Sequence, residues 1–353
     1  MKIAIVGAGF YGARIAKVIK KTFKSSHVTI YEKNNQPFKE AVVNNQHRLH
    51  LGFHYPRCNE TIIQANSSFQ MFMSEYPECV YDIRNNLYII HNESKVSLSN
   101  YLNVFDRHKI DYKLLRDYNN PILKNKHNYE GFVSTDEKKI DLRKLTERLR
   151  SSFYLNNISL QCNSEVINIS EDGYLETKNA ENKYDFIINC SYSRPNLIGE
   201  GVFDTKSELC FMCLLKPSVN FINDFAFTIC DGPFSSLYPS DNGCYTLSNV
   251  LKTPYYKSRD VDKLYDIYHG LSEKQKLLIC DEIIDESEKY FKIRDNFKVE
   301  GFYSAIKTKI VNDFDDYRGS YYIRKDKVFN ILSGKLQAVF LIEKEIIKEI
   351  YDA

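Results

Sequence analysis

The opening segment of the chain, residues 1–33, constrains the fold more than any other stretch. An apolar run leads into the turn Gly7-Ala8-Gly9-Phe10-Tyr11-Gly12, a helical pattern follows, and a second strand ends at Glu32. The first glycine permits a tight turn, the second lets backbone approach a pyrophosphate, and the third lets the helix pack closely on the strand. This order of strand, glycine turn, helix and strand predicts a nucleotide-binding βαβ unit.

Charge chemistry at both ends of this unit supports the same prediction. Free N–H groups and the helix dipole favour a pyrophosphate at the helix N-terminus. Glu32 follows the third glycine by about 20 residues, where an acidic side chain accepts hydrogen bonds from a ribose diol. Lys33 comes directly after it. The segment therefore predicts a dinucleotide site and leaves the identity of the dinucleotide open.

Composition limits the classes of partner. The 353 residues carry a net charge of +2 with no long basic run, so nucleic acid is not indicated. No apolar stretch approaches the ~18 residues of a membrane span, and the chain opens on a strand rather than a secretory signal. The nine scattered cysteines favour reduced thiols and a cytoplasmic protein. The spacing of Cys210 and Cys213 fits a zinc or redox role, but buried thiols suit their apolar run better.

Elements typical of a covered parallel sheet occur at the beginning, middle and end of the chain. The middle one is the apolar strand 185–190, and the last is the strand 328–332, which a helix follows. Between them, residues 208–250 show successive strands typical of an antiparallel sheet. Residues 260–291 are helical, with a break expected near Gly270. The predicted fold class is α/β, with a Rossmann-like domain interleaved with an antiparallel-sheet α+β domain.

Local signals place a few element boundaries. Asn59 and Asp141 are predicted to cap two helices, because their short polar side chains can accept a hydrogen bond from the first turn. Lys307 and Lys309 alternate with isoleucines, which indicates one face of a strand.

Three further segments carry a resemblance to a known family. Residues 44–56 contain His50, Gly52 and Tyr55 in the order His-x-Gly-x-x-Tyr. The middle strand ends in Asn189-Cys190-Ser191, and Ser333-Gly334-Lys335 opens the last helix. With the glycine turn, this order resembles the FAD-dependent oxidoreductases of the D-amino-acid-oxidase type, most of all the branch of L-2-hydroxyglutarate dehydrogenase and glycine oxidase. The sequence departs from that family in Ser191-Tyr192, where Thr-Gly is usual, and in the single glycine of the last turn.

The resemblance implies FAD as the cofactor. It implies a FAD-binding domain of residues 1–75, 140–205 and 325–353, and a substrate domain of residues 76–139 and 206–324. It also implies backbone hydrogen bonds from Val166 to the adenine and from the last turn to the flavin. The residues expected to bind the cofactor are Gly7, Gly9, Phe10, Tyr11, Gly12, Glu32, Lys33, Asn45, Arg48, His50, Val166, Cys190, Ser191, Ser333, Gly334 and Lys335.

Ionisable side chains are concentrated in residues 44–57. A loop so rich in such groups after a dinucleotide unit favours a functional site, although a solvated loop is the alternative. Arg318, in the segment Asp313-Phe314-Asp315-Asp316-Tyr317-Arg318-Gly319, either clamps a substrate carboxylate or phosphate or forms an ion pair in a surface turn. The candidate catalytic residues are His50, His54, Tyr55, Arg57 and Arg318. The spacing of the first two would suit a metal on a helix, but Gly52 and Pro56 disfavour a helix, so no metal is expected.

The function predicted is that of an FAD-dependent oxidoreductase. It would transfer a hydride between flavin N5 and a C–H bond next to an amine or hydroxyl. The basic side chains favour a small substrate with a carboxylate or phosphate, or a sugar nucleotide, and the electron acceptor stays open. The alternatives are a flavin-dependent nucleotide-sugar mutase without net redox chemistry, an NAD(P)-dependent dehydrogenase, for which Glu32 serves equally well, and a non-catalytic sensor.

Overall fold

The computed structural model describes residues 1–199, 201–218, 225–311 and 317–353. The strands are β1 (Lys2–Val6), β2 (His27–Tyr31), β3 (Arg48–Leu49), β4 (Val80–Tyr81), β5 (Asn85–His91), β6 (Tyr112–Leu115), β7 (Tyr129–Thr135), β8 (Lys138–Ile140), β9 (Ser159–Gln161), β10 (Val166–Ile169), β11 (Tyr174–Thr177), β12 (Glu181–Lys183), β13 (Phe186–Asn189), β14 (Thr205–Pro217), β15 (Phe225–Cys230), β16 (Ser235–Pro239), β17 (Tyr245–Asn249), β18 (Pro254–Ser258), β19 (Phe297–Ile310), β20 (Tyr321–Lys325) and β21 (Val328–Leu332). The helices are α1 (Phe10–Thr22), α2 (Asn59–Glu75), α3 (Leu98–Arg107), α4 (Leu142–Leu155), α5 (Val261–Gly270), α6 (Glu273–Ser287), α7 (Ile293–Asn296) and α8 (Val339–Tyr351).

The first sheet is the mainly parallel one that the sequence predicts. Its order is β20-β21-β13-β1-β2-β9, and only β20 runs antiparallel to its neighbour. Ile5 on the central strand pairs with Ile188 and Ile30 on either side, and all three are fully buried. One face packs on α1, α4 and α8, and the other packs on the small sheet β10-β11-β12. Both faces are therefore covered, which is why these strands are almost entirely apolar.

The second sheet is built from the chain segments between those strands. Its order is β18-β14-β17-β16-β15-β5-β7-β6, and β19 pairs with β14 along nearly its whole length. One face of the β14–β19 pair packs on α5 and α6. The other face turns toward the 44–57 segment, where the rings of Tyr303 and His47 lie 6.4 Å apart. Strands β15 and β5 pair in parallel, an exception to the antiparallel pattern expected here.

The two sheets support the interleaved arrangement, and the domain boundaries given above stay predictions. The expected break near Gly270 is confirmed, since α5 ends there and α6 begins at Glu273. Asp141 caps α4 as predicted, by accepting a hydrogen bond from the Lys144 N–H. The prediction for Asn59 is wrong by one residue: Cys58 is the N-cap of α2, because its carbonyl already accepts the Ile62 N–H. No helix in the described ranges is both long and apolar enough to span a bilayer.

The glycine turn between β1 and α1 shows two kinds of glycine. A Cβ on Gly12 would lie 2.0 Å from the Gly7 carbonyl oxygen, so this position brings helix and strand into contact. Gly7 has φ +96°, which disfavours other residues. A Cβ on Gly9 would meet nothing within 4 Å among the described residues. Gly9 is also the N-cap of α1, and it has no side chain that could cap the first turn. Gly9 therefore presents open backbone at the helix N-terminus, as the close approach of a pyrophosphate requires.

We expect alanine at Gly12 and alanine at Gly9 to affect different properties of the protein. Gly12→Ala should lower the free energy of unfolding by about 1–3 kcal/mol, because the methyl group overlaps backbone. Gly9→Ala should leave the melting temperature of the FAD-free protein close to wild type and lower the FAD content, because the methyl fills the open side. Thermal unfolding of FAD-free protein and visible absorbance of purified protein measure the two effects. Equal destabilisation by both variants, or full FAD retention in Gly9→Ala, would contradict this assignment.

Candidate active site

The acid at the end of β2 lies beside the glycine turn. Glu32 is buried, and its Oε2 accepts the Ala8 N–H at 2.9 Å. Its Oε1 accepts the backbone and side-chain N–H groups of Asn34 at 2.9 and 2.8 Å. These bonds hold the carboxylate where a ribose-binding acid is expected. The neighbouring Lys33 donates instead to Glu40, at 3.0 Å, and to the Tyr265 hydroxyl of α5, at 2.7 Å.

The two aromatic residues of the glycine turn use their side chains inside the protein. The Phe10 ring packs against Phe72 at 6.1 Å. The Tyr11 hydroxyl donates to the Lys335 carbonyl oxygen at 2.7 Å and lies 2.6 Å from Ser320 Oγ. Only the backbone of these two residues is therefore left for a cofactor, while Tyr11 joins α1 to the last turn of the chain.

Asn45 and Ser191 likewise support their own loops. The Asn45 amide donates to the Ala41 and Val42 carbonyl oxygens at 2.7 and 3.0 Å. Ser191 Oγ lies 2.6 Å from Asn189 Oδ1, just after β13. The residue that follows, Tyr192, has φ 56°, a left-handed conformation that glycine adopts at lower cost than tyrosine.

The remaining residues expected at the cofactor border the same edge of the first sheet. Val166 is buried against Val6 and Tyr31. A Cβ on Gly7 would lie 3.0 Å from the Cys190 carbonyl oxygen, and burial raises the pKa of the Cys190 thiol. Together they line the carboxyl ends of β1, β2 and β13, where such sheets bind their ligands.

The last turn is in tight contact with the segment that carries Arg318. A Cβ on Gly334 would lie 2.0 Å from the Arg318 carbonyl oxygen. The Arg318 N–H donates to Thr61 Oγ1 at 3.0 Å, and the Ser320 N–H donates to Gln64 Oε1 at 2.8 Å, so α2 holds this segment. Ser333 is half-buried in the same turn. Residues 313–316 of the acidic segment lie outside the described residues.

Three expected site residues converge on one point. The Lys335 ammonium contacts the Tyr55 hydroxyl, and it lies 3.3 Å from His50 Nε2. Burial, and then the charge of Arg318, lowers the pKa of Lys335 to about 7. Burial and the charge of Lys335 lower the pKa of His50 to about 4. Near neutral pH, His50 is therefore uncharged and Lys335 can both gain and lose a proton.

Arg48 lies in a polar pocket near Lys335, His50 and Tyr55. Its guanidinium donates to the Tyr88 hydroxyl and to Thr228 Oγ1, both at 2.9 Å, and it stacks over the Tyr238 ring at 4.1 Å. Its Nε has no hydrogen-bond partner in the described part of the chain. Arg48 is thus a fixed, buried cation whose Nε is enclosed by the described protein.

The anion that faces Arg48 is Glu137, a residue that the sequence did not single out. It has no exposed surface and sits 4.0 Å from the Arg48 guanidinium and 3.7 Å from His50 Nδ1. Burial alone would raise its pKa, but His50 and Arg48 lower it to about 2. In the sequence, Glu137 stands between Asp136 and Lys138 like a residue of a solvated turn, so no pattern marked it.

Lys307 and Lys309 occupy the same face of β19, opposite this cluster. Lys309 pairs with Glu208 of β14, whereas no carboxylate lies within 4 Å of Lys307 among the described residues. Lys307 is exposed, and desolvation by the surrounding protein together with the charge of Arg318 lowers its pKa. The strand expected at these lysines is confirmed, and the structure adds that they face the site.

The other two candidate catalytic residues border a small pocket. It is lined by His54, Tyr55, Pro56, Arg57, Cys58 and Asp231. Arg57 forms an ion pair with Asp231 across its mouth. Burial and the charge of Lys335 lower the pKa of His54 well below its usual range, so His54 is neutral. Arg57 is therefore bound to the residue that follows β15 of the second sheet, while His54 lies close to Lys335.

The ionised form of Glu137 should stabilise the protein in a defined pH range. Its pKa falls from 4.5 to about 2 on folding, so its contribution is complete above pH 4.5 and is lost as the pH falls toward 2. We expect Glu137→Gln to lower the free energy of unfolding by about 3 kcal/mol near neutral pH. The difference from wild type should shrink in acid. Urea unfolding of both proteins across this range measures it, and a difference independent of pH would contradict the assignment.

The family of the chain follows from its similarity to known proteins. The family model described as FAD dependent oxidoreductase, DAO, matches residues 2–239, well over half of the chain. The FAD-dependent monooxygenase FPY4 of Fusarium mangiferae is 25% identical over 358 residues, which cover 99% of this chain and 91% of that protein.

Solved structures show the same fold at low sequence identity. NikD, an amino acid oxidase of nikkomycin biosynthesis, superposes with a TM-score of 0.75 and 11% identity over 97% of this chain and 91% of its own. The glycine oxidase of Geobacillus kaustophilus superposes with a TM-score of 0.68 and 14% identity over 98% of this chain and 93% of its own. The L-alpha-glycerophosphate oxidase of Mycoplasma pneumoniae, solved with FAD bound, gives 0.73 and 14% over 98% and 94%. The chain belongs to the DAO family of FAD-dependent oxidoreductases, and FAD is its cofactor.

Proposed function

We propose that this protein oxidises a small anionic molecule at a C–H bond next to an amine or hydroxyl group. The observation that carries the proposal is the convergence of Lys335, His50 and Tyr55 beside Arg318. FAD, when bound, would supply the acceptor for the C–H hydrogen and its electron pair, which leave together as a hydride. The protein must then supply an anion holder and a proton acceptor, and this cluster contains both.

The open glycine turn and the cations near it are suited to FAD. Gly9 offers backbone N–H groups to the pyrophosphate and Glu32 offers its carboxylate to the ribose. The buried cation Arg48 would contribute its positive charge to the polar edge of the flavin. The backbone of residues 333–335 and that of Val166 complete the proposed set.

Arg318 is the proposed holder of the substrate anion. Its backbone is fixed by Thr61, and its guanidinium donates to the Tyr317 carbonyl oxygen at 3.0 Å, which leaves other N–H groups to bind a carboxylate or phosphate. Lys307 adds a second positive charge to the same space. Carboxylates, phosphates and the phosphates of a sugar nucleotide all share the required charge.

Lys335 is the proposed proton acceptor. Its pKa of about 7 matches the working range of a general base better than that of His50. Tyr55 contacts the same ammonium and orients it.

All nine cysteines are free thiols, which supports a cytoplasmic location as part of this proposal.

An anaerobic screen tests the substrate class. Amino acids, 2-hydroxy acids, phosphorylated alcohols and sugar nucleotides are mixed with the FAD-loaded protein, each beside a neutral amide or ester analogue. We expect one anionic class to bleach the flavin band while its neutral analogues do not, and Arg318→Met to weaken its binding about tenfold to a hundredfold. Reduction by neutral analogues at equal rates would refute the anion requirement. Isomerisation of a sugar nucleotide by pre-reduced enzyme without acceptor would identify the mutase instead.

The pH dependence tests the base. The rate of anaerobic flavin reduction should rise with pH, with a midpoint near pH 7, because only the neutral amine of Lys335 accepts a proton. Lys335→Met should slow reduction by about 100-fold or more and remove this dependence. Lys344→Met, which alters an exposed lysine on α8, serves as the control and should keep the wild-type profile. An unchanged midpoint in Lys335→Met would assign the proton to another group.

Oxygen insertion is a second candidate, because the relative from Fusarium mangiferae is named a monooxygenase. A monooxygenase consumes an external reductant and places one atom of O₂ in its product. Turnover under ¹⁸O₂ separates the candidates: label in the product indicates oxygen insertion, and unlabelled product with reduction of the acceptor indicates oxidation.

A further inference from the structure

Glu137 is a buried carboxylate to which the proposed reaction gives no role. The N–H groups of Leu51 and Gly52 donate to its Oε1 at 2.8 and 3.3 Å, and the Tyr88 hydroxyl donates to its Oε2 at 2.7 Å. A buried charge is costly unless it is hydrogen-bonded and paired. Here backbone N–H groups from the 44–57 segment fix the carboxylate in one orientation, with His50 as a near neighbour.

His50 lies between this carboxylate and Lys335. Its Nδ1 is 3.7 Å from Glu137 Oε1, and its Nε2 is 3.3 Å from Lys335 Nζ. An ionised carboxylate can only accept a hydrogen bond, and an ammonium can only donate one. At 3.7 Å, His50 Nδ1 is too far from the carboxylate for a hydrogen bond, so the interaction between them is electrostatic. A proton on Nδ1 turns the positive end of the ring dipole toward Glu137 and leaves the Nε2 lone pair for Lys335. The other tautomer would turn a lone pair toward the carboxylate and an N–H toward the ammonium.

We propose that Glu137 is a positioning residue that holds His50 in the Nδ1–H tautomer, so that Nε2 accepts a hydrogen bond from Lys335. The carboxylate also supplies the negative charge that balances a protonated Lys335. The tautomer follows from the geometry alone, whereas its effect on the reaction rests on the proposed function. In that reaction, Lys335 Nζ gains the proton released when the substrate N–H or O–H bond breaks. The C–H hydrogen would leave with its electron pair, as a hydride, to bound FAD, and His50 and Glu137 exchange no proton.

The charges around Lys335 make this role specific. Arg318 and Arg48 are the cations that face the ammonium, and Lys307 faces the Tyr55 hydroxyl bound to it. Within the described ranges, Glu137 is the carboxylate that faces Lys335 against these positive charges. Removing this one anion therefore disfavours the protonated amine and lowers the pKa of Lys335.

Nitrogen NMR of the histidine side chains tests the tautomer directly. The FAD-loaded protein is labelled with ¹⁵N-histidine, and the His50 signals are assigned by their loss in His50→Gln. We expect the proton on Nδ1 near neutral pH in the wild-type protein, and a shift toward the Nε2–H form in Glu137→Gln. A proton on Nε2 in the wild-type protein would refute the proposal. This measurement on wild-type protein needs no variant of Glu137 to fold and no known substrate.

The pH profile of flavin reduction distinguishes positioning from structural support. In Glu137→Gln we expect the midpoint assigned to Lys335 to move about one pH unit lower. Glu343→Gln is the matched control. Glu343 lies on α8 and is also a buried carboxylate, and it accepts two hydrogen bonds from the Arg14 guanidinium at 2.7 and 2.8 Å. It should lose stability and keep the wild-type midpoint. Equal midpoints in wild type and Glu137→Gln, with only a lower rate or FAD content, would leave Glu137 a purely structural residue and refute the proposal.

The two proposals fail in different ways. If no anionic substrate reduces the flavin, the proposed function fails while the tautomer of His50 can still be measured. If a substrate is found and the His50 proton is on Nε2, the proposed function stands and the role of Glu137 is refuted.

Discussion

A short chain of hydrogen bonds joins the beginning of this protein to its end. The Gly334 N–H donates to Ser320 Oγ at 2.9 Å, Ser320 bonds the Tyr11 hydroxyl, and Tyr11 donates to the Lys335 carbonyl oxygen. Tyr11 belongs to the glycine turn, so the backbone of Lys335 is fixed relative to the pyrophosphate end of the cofactor site. The absence of a Cβ on Gly334 allows the same turn to touch the Arg318 backbone. The proposed base and the proposed anion holder are thereby positioned by the glycine turn, the element proposed to bind the pyrophosphate.

The electrostatics of the site follow from this arrangement. Lys335, Arg48 and Arg318 are held near one another, and desolvation lowers the pKa of Lys335 into the physiological range. Bringing like charges together in a partly buried site opposes folding, and Glu137 offsets part of that cost. Titratable groups shifted in this way are a property of functional sites. The surplus of positive charge is what an anionic substrate would neutralise.

The parts of the fold that follow a repeating physical pattern were predictable from the sequence. The strands of the first sheet were predictable because both faces of that sheet are covered, which makes the strands apolar. The glycine turn was predictable because each glycine meets a local steric need. The strand β19 was seen only at its end, since its half-buried, lysine-rich pattern gives a weak signal. The 44–57 segment could be named as part of the candidate site because its ionisable residues cluster in sequence, and its role stays a prediction. Glu137 and Tyr88 are brought to His50 by the second sheet, and only the folded chain shows their contact.

Several residues expected to bind the cofactor use their side chains within the protein. Phe10 lies in the core, Asn45 bonds its own loop, and Lys33 bonds Tyr265 of α5. Each stands in a motif whose backbone approaches the cofactor, and a motif does not reveal where a side chain points. The NAD(P)-dependent alternative, which shares the opening motif, is set aside because the chain belongs to an FAD-dependent family.

The most direct test of the central claim is a crystal structure of the FAD-loaded protein with an unreactive anionic analogue of whichever substrate class reduces the flavin. We expect the anion on the Arg318 guanidinium and the amine or hydroxyl of the analogue within hydrogen-bond distance of Lys335 Nζ. An analogue bound with its anion away from Arg318, or with Lys335 turned away from the reacting group, would contradict it.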